Sequence, residues 1–127
     1  MRIAALAPFL AAPLLLAGCS PTLEAPRDTG VCWHLVAGDN GKPKFNRLAD
    51  HQPDLEHCAA QLEIMRQQFQ SLGVPQENVT GAYQGQFLFI QREGVFTSQS
   101  YDGFRYVLMV PTGDGRLAVP GAMPNAQ

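Results

Sequence analysis

The sequence lacks a surplus of basic residues. It carries 9 Lys and Arg against 11 Asp and Glu, for a formal net charge of −2. The charges are scattered along the chain without a long run of one sign. Because a nucleic-acid-binding protein neutralises phosphates with a basic face, we do not expect nucleic acid as a partner.

The sequence also lacks the common motifs of nucleophilic and phosphate-binding sites. It contains no Gly-x-Ser-x-Gly elbow, the motif that exposes the serine nucleophile of α/β-hydrolases. Gly81 and Gly85 are not followed by the Lys and Ser or Thr that a P-loop requires. We therefore expect no enzymatic activity, no catalytic residues and no cofactor.

Long apolar runs are absent as well. The most apolar stretch, residues 3–16, is interrupted by Pro8 and Pro13, whereas a transmembrane helix needs about 20 apolar residues. With Arg2 before it, this stretch has the layout of a cleaved signal peptide. The alternative is an uncleaved buried helix, in which two interior prolines would cost about 3 kcal/mol each.

Two small residues and a cysteine end this stretch. Residues 16–19, Leu-Ala-Gly-Cys, resemble the lipobox of bacterial lipoproteins. The resemblance implies a signal peptide over residues 1–18 and lipid on Cys19, which would anchor the chain to a membrane. In that family an Asp after the cysteine signals retention in the inner membrane. Because Ser20 stands there, the resemblance implies the outer membrane, facing the periplasm.

The composition changes after the lipobox. Residues 19–30 have two prolines, few apolar residues and no periodicity, which is typical of an extended linker. We predict a lipidated tether there and a folded domain over residues 31–119. Residues 120–127 also lack periodicity, so we predict a flexible tail.

Cysteine is scarce, and its number is odd. Three cysteines leave one unpaired in an exported protein unless that one has another fate. Lipid on Cys19 would supply that fate, so that Cys32 and Cys58 remain as a disulfide pair in an oxidising compartment. Structural zinc is the alternative, with His34 and His57 beside the two thiols. Because the spacing matches no common zinc module, we expect no metal.

Apolar periodicity predicts one helix. Over residues 55–72 apolar side chains recur every three or four positions, the period of a helix with one buried face. Residues 50–54 offer capping oxygens before it, and Gly73 stops it. Cys58 lies in the apolar stripe, so a disulfide to Cys32 would join the helix to a strand.

Extended segments bounded by turn residues predict the rest of the domain. We expect four to five strands, drawn from residues 31–37, 86–91, 95–98, 104–110 and 116–119. Residues 42–52 are interpreted as an irregular polar connection. The predicted fold class is α+β: a small antiparallel sheet of four to five strands with one amphipathic helix packed on one face, stapled by a disulfide.

One helix covers one face of such a sheet, yet aromatic residues occur on several strands. We therefore expect part of the other face to form an aromatic binding surface, built from Trp33, Tyr83, Phe104 and Tyr106. Strand aromatics also serve in cores and cross-strand pairs, which is the alternative interpretation.

These observations lead to two functional hypotheses. The first is a non-enzymatic, membrane-anchored lipoprotein with a structural or protein-interaction role in the envelope, its partner being an envelope protein or the cell wall. The second is a module that binds a glycan, a peptide or a small apolar molecule on the aromatic face. A concave cavity favours the second, and an exposed apolar patch favours the first.

Overall fold

The computed structural model describes residues 22–121, together with Pro8. The lipobox, Cys19 and residues 122–127 of the predicted tail lie outside the described residues, as does the predicted signal peptide apart from Pro8. The described chain contains one α-helix, α1, and seven strands, β1 to β7. In chain order these are β1 (Cys32–Ala37), β2 (Pro43–Ala49), α1 (Leu55–Ser71), β3 (Val79–Tyr83), β4 (Gln86–Gln91), β5 (Gly94–Ser98), β6 (Tyr106–Pro111) and β7 (Leu117–Ala118).

The strands form one antiparallel sheet in the order β2-β1-β3-β4-β5-β6-β7. The helix connects β2 to β3, which flank β1 on either side, and the remaining strands follow as a meander. The predicted α+β class with one helix and an antiparallel sheet is therefore confirmed. The sheet has seven strands, where the sequence predicted four or five.

The two additional strands are β2 and β3, and each lacks the usual strand signal. Strand β2 lies at the edge of the sheet and is mostly exposed, so polar residues replace the alternating apolar pattern. Strand β3 contains Gly81, where a Cβ atom would lie 2.4 Å from Leu62 Cδ1. Close approach of the helix therefore requires glycine at a position where glycine normally argues against a strand.

The helix begins and ends where the sequence predicts. The side chain of Asp54 accepts a hydrogen bond from the His57 backbone N–H at 2.8 Å, which satisfies a donor of the first turn. Backbone and side-chain hydrogen bonds from His57 also lower the pKa of Asp54. The helix ends at Ser71, and Gly73 follows with a φ of +73°, the left-handed conformation in which glycine ends helices.

The apolar stripe of α1 packs on one face of the sheet, which we call the helix face. Cys58, Ala59 and Leu62 are fully buried there against four apolar strand residues. The strand residues are Val79, Leu88, Ile90 and Val95. A disulfide joins Cys32 to Cys58 with their Cα atoms 5.3 Å apart, so the predicted covalent link between strand and helix is confirmed.

The opposite face of the sheet, called here the second face, has its own apolar cluster. Ala82, Phe87 and Phe89 are buried in it, with Trp33, Phe45 and Phe96 packed around them. The N-terminal segment, residues 22–30, covers part of this cluster without forming a helix or a strand. Ala25 is buried and Leu23 packs beside it.

Hydrogen bonds fix the N-terminal segment to the sheet. The Gly85 N–H donates to the carbonyl of Pro26 at 2.8 Å, and the Gln52 N–H donates to that of Gly30, also at 2.8 Å. The Gly30 N–H donates to the side-chain oxygen of Gln84 at 2.9 Å. A segment that the sequence predicts to be an extended tether is therefore packed on the domain from Leu23 onward.

Candidate functional site

A compact loop, residues 99–105, connects β5 to β6. The hydroxyl of Ser98 donates to the carbonyl of Ser100 at 2.6 Å and accepts from the Ser100 N–H at 3.2 Å. The Gly103 N–H donates to the same carbonyl at 3.2 Å. A Cβ atom at Gly103 would clash with Ser100 Oγ and lie 3.0 Å from Ser98 Oγ, so a larger residue there would require these serine side chains to move.

Two side chains of the loop fold back onto the second face. The ring of Tyr101 meets Phe87 edge-on, with the ring centroids 5.8 Å apart. The guanidinium carbon of Arg105 lies 3.5 Å from the centroid of the Phe89 ring, a cation–π contact. These contacts hold both ends of the segment that contains Phe104, and so they restrict its position.

Phe104 and Tyr106 point away from this anchorage into solvent. Phe104 is 77% exposed and Tyr106 is 63% exposed. Their ring centroids lie 5.0 Å apart at an interplanar angle of 65°, so the two rings form the sides of a corner. Val107 is exposed as well, but it pairs with Phe96 and so lies on the second face of the sheet, opposite Tyr106. Adjacent exposed aromatic residues on a small domain commonly mark a binding site for a protein, a membrane or a ligand.

The two rings form one wall of a groove with a volume of about 360 Å³. Neutral hydrogen-bonding side chains line the remainder, and no charged side chain is among the described residues that line it. The Thr97 hydroxyl donates to the Phe87 carbonyl at 2.9 Å and lies 3.3 Å from Gln86 Oε1. The complete lining is Gln86, Thr97, Ser98, Gln99, Ser100, Gly103, Phe104 and Tyr106.

The structure brings together only two of the four residues predicted to form the binding surface. Phe104 and Tyr106 are adjacent. Tyr83 is 5% exposed on the helix face, and its hydroxyl donates to the carbonyl of Gln52 at 2.7 Å. Trp33 lies on the second face, where the guanidinium carbon of Arg47 stands 5.4 Å from its ring centroid. These two aromatics therefore stabilise the domain, one on each face.

Sequence reasoning missed the polar half of the groove. Gln86 and the run Thr-Ser-Gln-Ser at residues 97–100 supply its amides and hydroxyls. A local signal exists, because this run lies directly before the aromatic residues 101, 104 and 106 in the sequence. Gln86 comes from a different strand, and only the pairing of β4 with β5 brings it to the same site.

The disulfide is incompatible with the zinc alternative, because the two thiols that a zinc site would require are bonded to each other. Among residues 22–121, no group of three or more His, Cys, Asp or Glu is arranged to hold a metal ion. Within the same part of the chain, no helix is long and apolar enough to cross a membrane.

A second cleft, of about 640 Å³, lies between the end of α1 and the β4–β5 turn. Arg66 forms part of its wall and donates twice to Glu63, at 2.7 and 2.8 Å. Those hydrogen bonds raise the pKa of Arg66. Glu77, Arg92 and Glu93 also line the cleft, so it presents both signs of charge and differs chemically from the neutral groove.

Comparison with known proteins found no family model, no curated protein and no solved structure that matches this chain.

Proposed function

We propose that this protein is a non-enzymatic, lipid-anchored component of the bacterial cell envelope that faces the periplasm. The disulfide carries the proposal. It pairs Cys32 with Cys58, so of three cysteines only Cys19 remains, in the sequence context of a lipobox. Structural disulfides form and persist in exported proteins and are rare in the cytosol, which supports export of this chain.

The packing of the N-terminal segment supports anchoring close to the membrane. The four residue-to-residue steps from Cys19 to Leu23 span at most about 14 Å when fully extended. Leu23 and Ala25 already pack on the second face of the sheet. Lipid on Cys19 would therefore hold the domain next to the bilayer, with little free linker between them.

The exposed surface formed by Phe104 and Tyr106 supports a binding role in the envelope. These residues and the neutral groove beside them belong to the end of the sheet that α1 leaves uncovered. The outer membrane, an envelope protein and the cell wall are the surroundings that the lipobox resemblance implies. A partner from that compartment would meet this surface, while the lipid keeps the domain in place.

The decisive test is lipid attachment in whole cells. Cells that produce the full chain are grown with radiolabelled palmitate, and the labelled protein is followed through separation of membrane and soluble fractions. We expect label on the wild-type chain and recovery with the outer membrane. The Cys19→Ala variant should lose both the label and the membrane association, because no other cysteine is free for acylation.

Two variants at the next position serve as controls. Ser20→Ala should behave as the wild-type chain, and Ser20→Asp should move the labelled protein to the inner membrane if the family's sorting signal applies. Label or membrane association that persists in Cys19→Ala would contradict the proposed anchor.

A further inference from the structure

We propose that the groove beside Phe104 and Tyr106 binds an uncharged glycan, with a sugar ring seated in the corner between the two aromatic rings. The inference rests on the proposed function only for the compartment in which the glycan is met. The groove itself lies within the described domain, so binding can be measured independently of the lipid.

The absence of charge at the groove selects an uncharged ligand. The Thr97 and Ser98 hydroxyls already donate to backbone carbonyls. As far as the described residues show, the polar groups left for a ligand are the amides of Gln86 and Gln99 and the hydroxyl of Ser100. Arg105, the cation of the loop, lies over the Phe89 ring on the second face. A phosphate, a carboxylate or an amine would lose hydration in the groove without gaining an ion pair.

The aromatic corner selects a ligand with both an apolar face and a polar rim. A pyranose ring presents C–H groups on its faces and hydroxyl groups around its edge. The Phe104 and Tyr106 rings meet at 65°. The face of a pyranose ring can stack on either of them while its hydroxyl groups reach the polar side chains of the groove. Binding sites that combine aromatic walls with a few placed Ser, Thr and Gln groups recognise small polar ligands in this manner.

The sheet topology disfavours a peptide as the occupant. Extended peptides commonly add a strand to an open sheet edge. At the groove, β5 is paired with β4 on one side and with β6 on the other, so its backbone donors and acceptors are already used. A glycan needs no free strand edge, because side chains supply all of its contacts.

The size and rigidity of the groove fit a short stretch of glycan. A volume of about 360 Å³ is at the lower end of the range for small-molecule sites, roughly 300–1,000 Å³, and accommodates about one or two sugar rings. The contacts of Tyr101 and Arg105 with the second face hold the loop before any ligand arrives. A preformed site loses less conformational entropy on binding.

The test is isothermal titration calorimetry, in which oligosaccharides are added to the full lipidated chain in detergent micelles. The neutral probes are chitotetraose and cellotetraose, which differ in the acetamido group. The charged probe is tetragalacturonic acid, and the peptide probe is tetra-alanine blocked at both ends. We expect at least one neutral oligosaccharide to bind, and tetragalacturonic acid and the blocked peptide not to bind.

Variants of the aromatic corner tie the binding to this groove. Phe104→Ala and Tyr106→Ala should each weaken binding about tenfold, which corresponds to about 1.4 kcal/mol for a well-placed aromatic contact. Tyr106→Phe keeps the ring and should weaken binding less. Ile64→Ala, at an exposed apolar position on α1, is the matched control and should leave binding unchanged.

Several outcomes would overturn the proposal. These are no binding of either neutral oligosaccharide, tighter binding of tetragalacturonic acid or the peptide, and binding that both ring deletions leave unchanged. Circular dichroism and an intact disulfide verify that each variant is folded. Absence of oligosaccharide binding together with normal palmitate labelling would contradict the glycan proposal and leave the anchor. Oligosaccharide binding by a wild-type chain that takes up no palmitate label in cells would contradict the anchor and leave the glycan proposal.

Discussion

The two faces of the sheet are covered by different means. On the helix face, a capped helix buries a regular apolar stripe and is bonded covalently to β1 through Cys32 and Cys58. On the second face, the cover consists of an irregular N-terminal segment and two side chains of the β5–β6 loop. The helix face uses periodic structure and a crosslink, and the second face uses individual contacts.

Because the two faces are covered differently, we expect residues on them to contribute differently to stability and to the candidate site. A domain of this size buries only about two-thirds of the surface of its unfolded chain, so a crosslink contributes a large share of its stability. The helix face holds that crosslink. Contacts with the second face anchor the loop that carries Phe104, and Tyr106 follows this loop at the start of β6, so the position of the candidate site depends on these contacts. Changes on the helix face should therefore affect stability most, and changes on the second face should affect the loop.

Removal of the crosslink should have the largest effect. In the double variant Cys32→Ala/Cys58→Ala, we expect the free energy of unfolding to fall by about 3–4 kcal/mol, because a crosslink across 26 residues no longer restricts the unfolded chain. Urea unfolding of the oxidised wild-type chain and the variant measures this difference. Cys19→Ala is the control and should unfold as the wild-type chain. Equal stability of the double variant would show that packing alone holds the helix.

The ion pair on α1 should give the next largest effect. Glu63→Gln leaves the buried guanidinium of Arg66 without its carboxylate, and we expect a loss of about 3 kcal/mol. The double variant Glu63→Leu/Arg66→Met should recover most of it, because the isolated buried charge is then gone. Urea unfolding is again the measurement, with Glu77→Gln as the exposed control. If Glu77→Gln lowered the free energy of unfolding as much as Glu63→Gln does, burial of the ion pair would not explain the effect.

A smaller effect is expected from the cover of the second face. Arg105→Ala removes the cation–π contact with Phe89 and should lower the free energy of unfolding by about 0.5–1 kcal/mol. It should also release the loop, visible as faster amide exchange at residues 99–105. Arg116→Ala, at a largely exposed arginine, is the matched control and should change neither quantity. Unaltered exchange in Arg105→Ala would mean that Tyr101 alone anchors the loop.

The smallest effect concerns pH and His34. Burial on the helix face lowers the pKa of His34 below its ordinary value of 6.5, so the unfolded chain binds a proton more readily than the folded chain. Stability from this group is therefore complete above pH 6.5 and is lost as the pH falls below that value. We expect the free energy of unfolding to decrease as the pH is lowered from 7 to 5.5.

Substitution identifies the group responsible for that slope. His34→Gln should remove this part of the pH dependence, because glutamine does not titrate. His57→Gln, at an exposed histidine, should retain it. Urea unfolding at a series of pH values provides the comparison, and an identical slope in wild type and His34→Gln would contradict the assignment.

Local patterns predicted the helix and its partner strand because they follow the chain. The stripe over residues 55–72 and the glycine after it determine where α1 lies and which side is buried. The same patterns failed for β2 and β3. Strand β2 is an exposed edge, and β3 is a strand whose small residue Gly81 makes room for Leu62. Both depend on neighbours that are distant in sequence.

The candidate site was predictable only in part. Phe104 and Tyr106 lie close together in the sequence, and their grouping could be expected. The separation of Trp33 and Tyr83 onto opposite faces could not, because the side on which a strand residue lies depends on the register of pairing. Nor does composition indicate that Leu23 and Ala25 pack on the sheet, since an irregular segment has no period to reveal a buried side.

Sequence by itself determined the elements whose signals are local: the period of α1, its capping residues, the supply of cysteines and the expectation of a lipid at Cys19. Tertiary structure alone decided which faces those elements cover and which aromatics remain exposed. It also decided that Gln86 meets the loop after β5. The physical reason is that apolar periodicity indicates that a residue is buried but not against what, and the partner is chosen by strand pairing and packing across the whole chain.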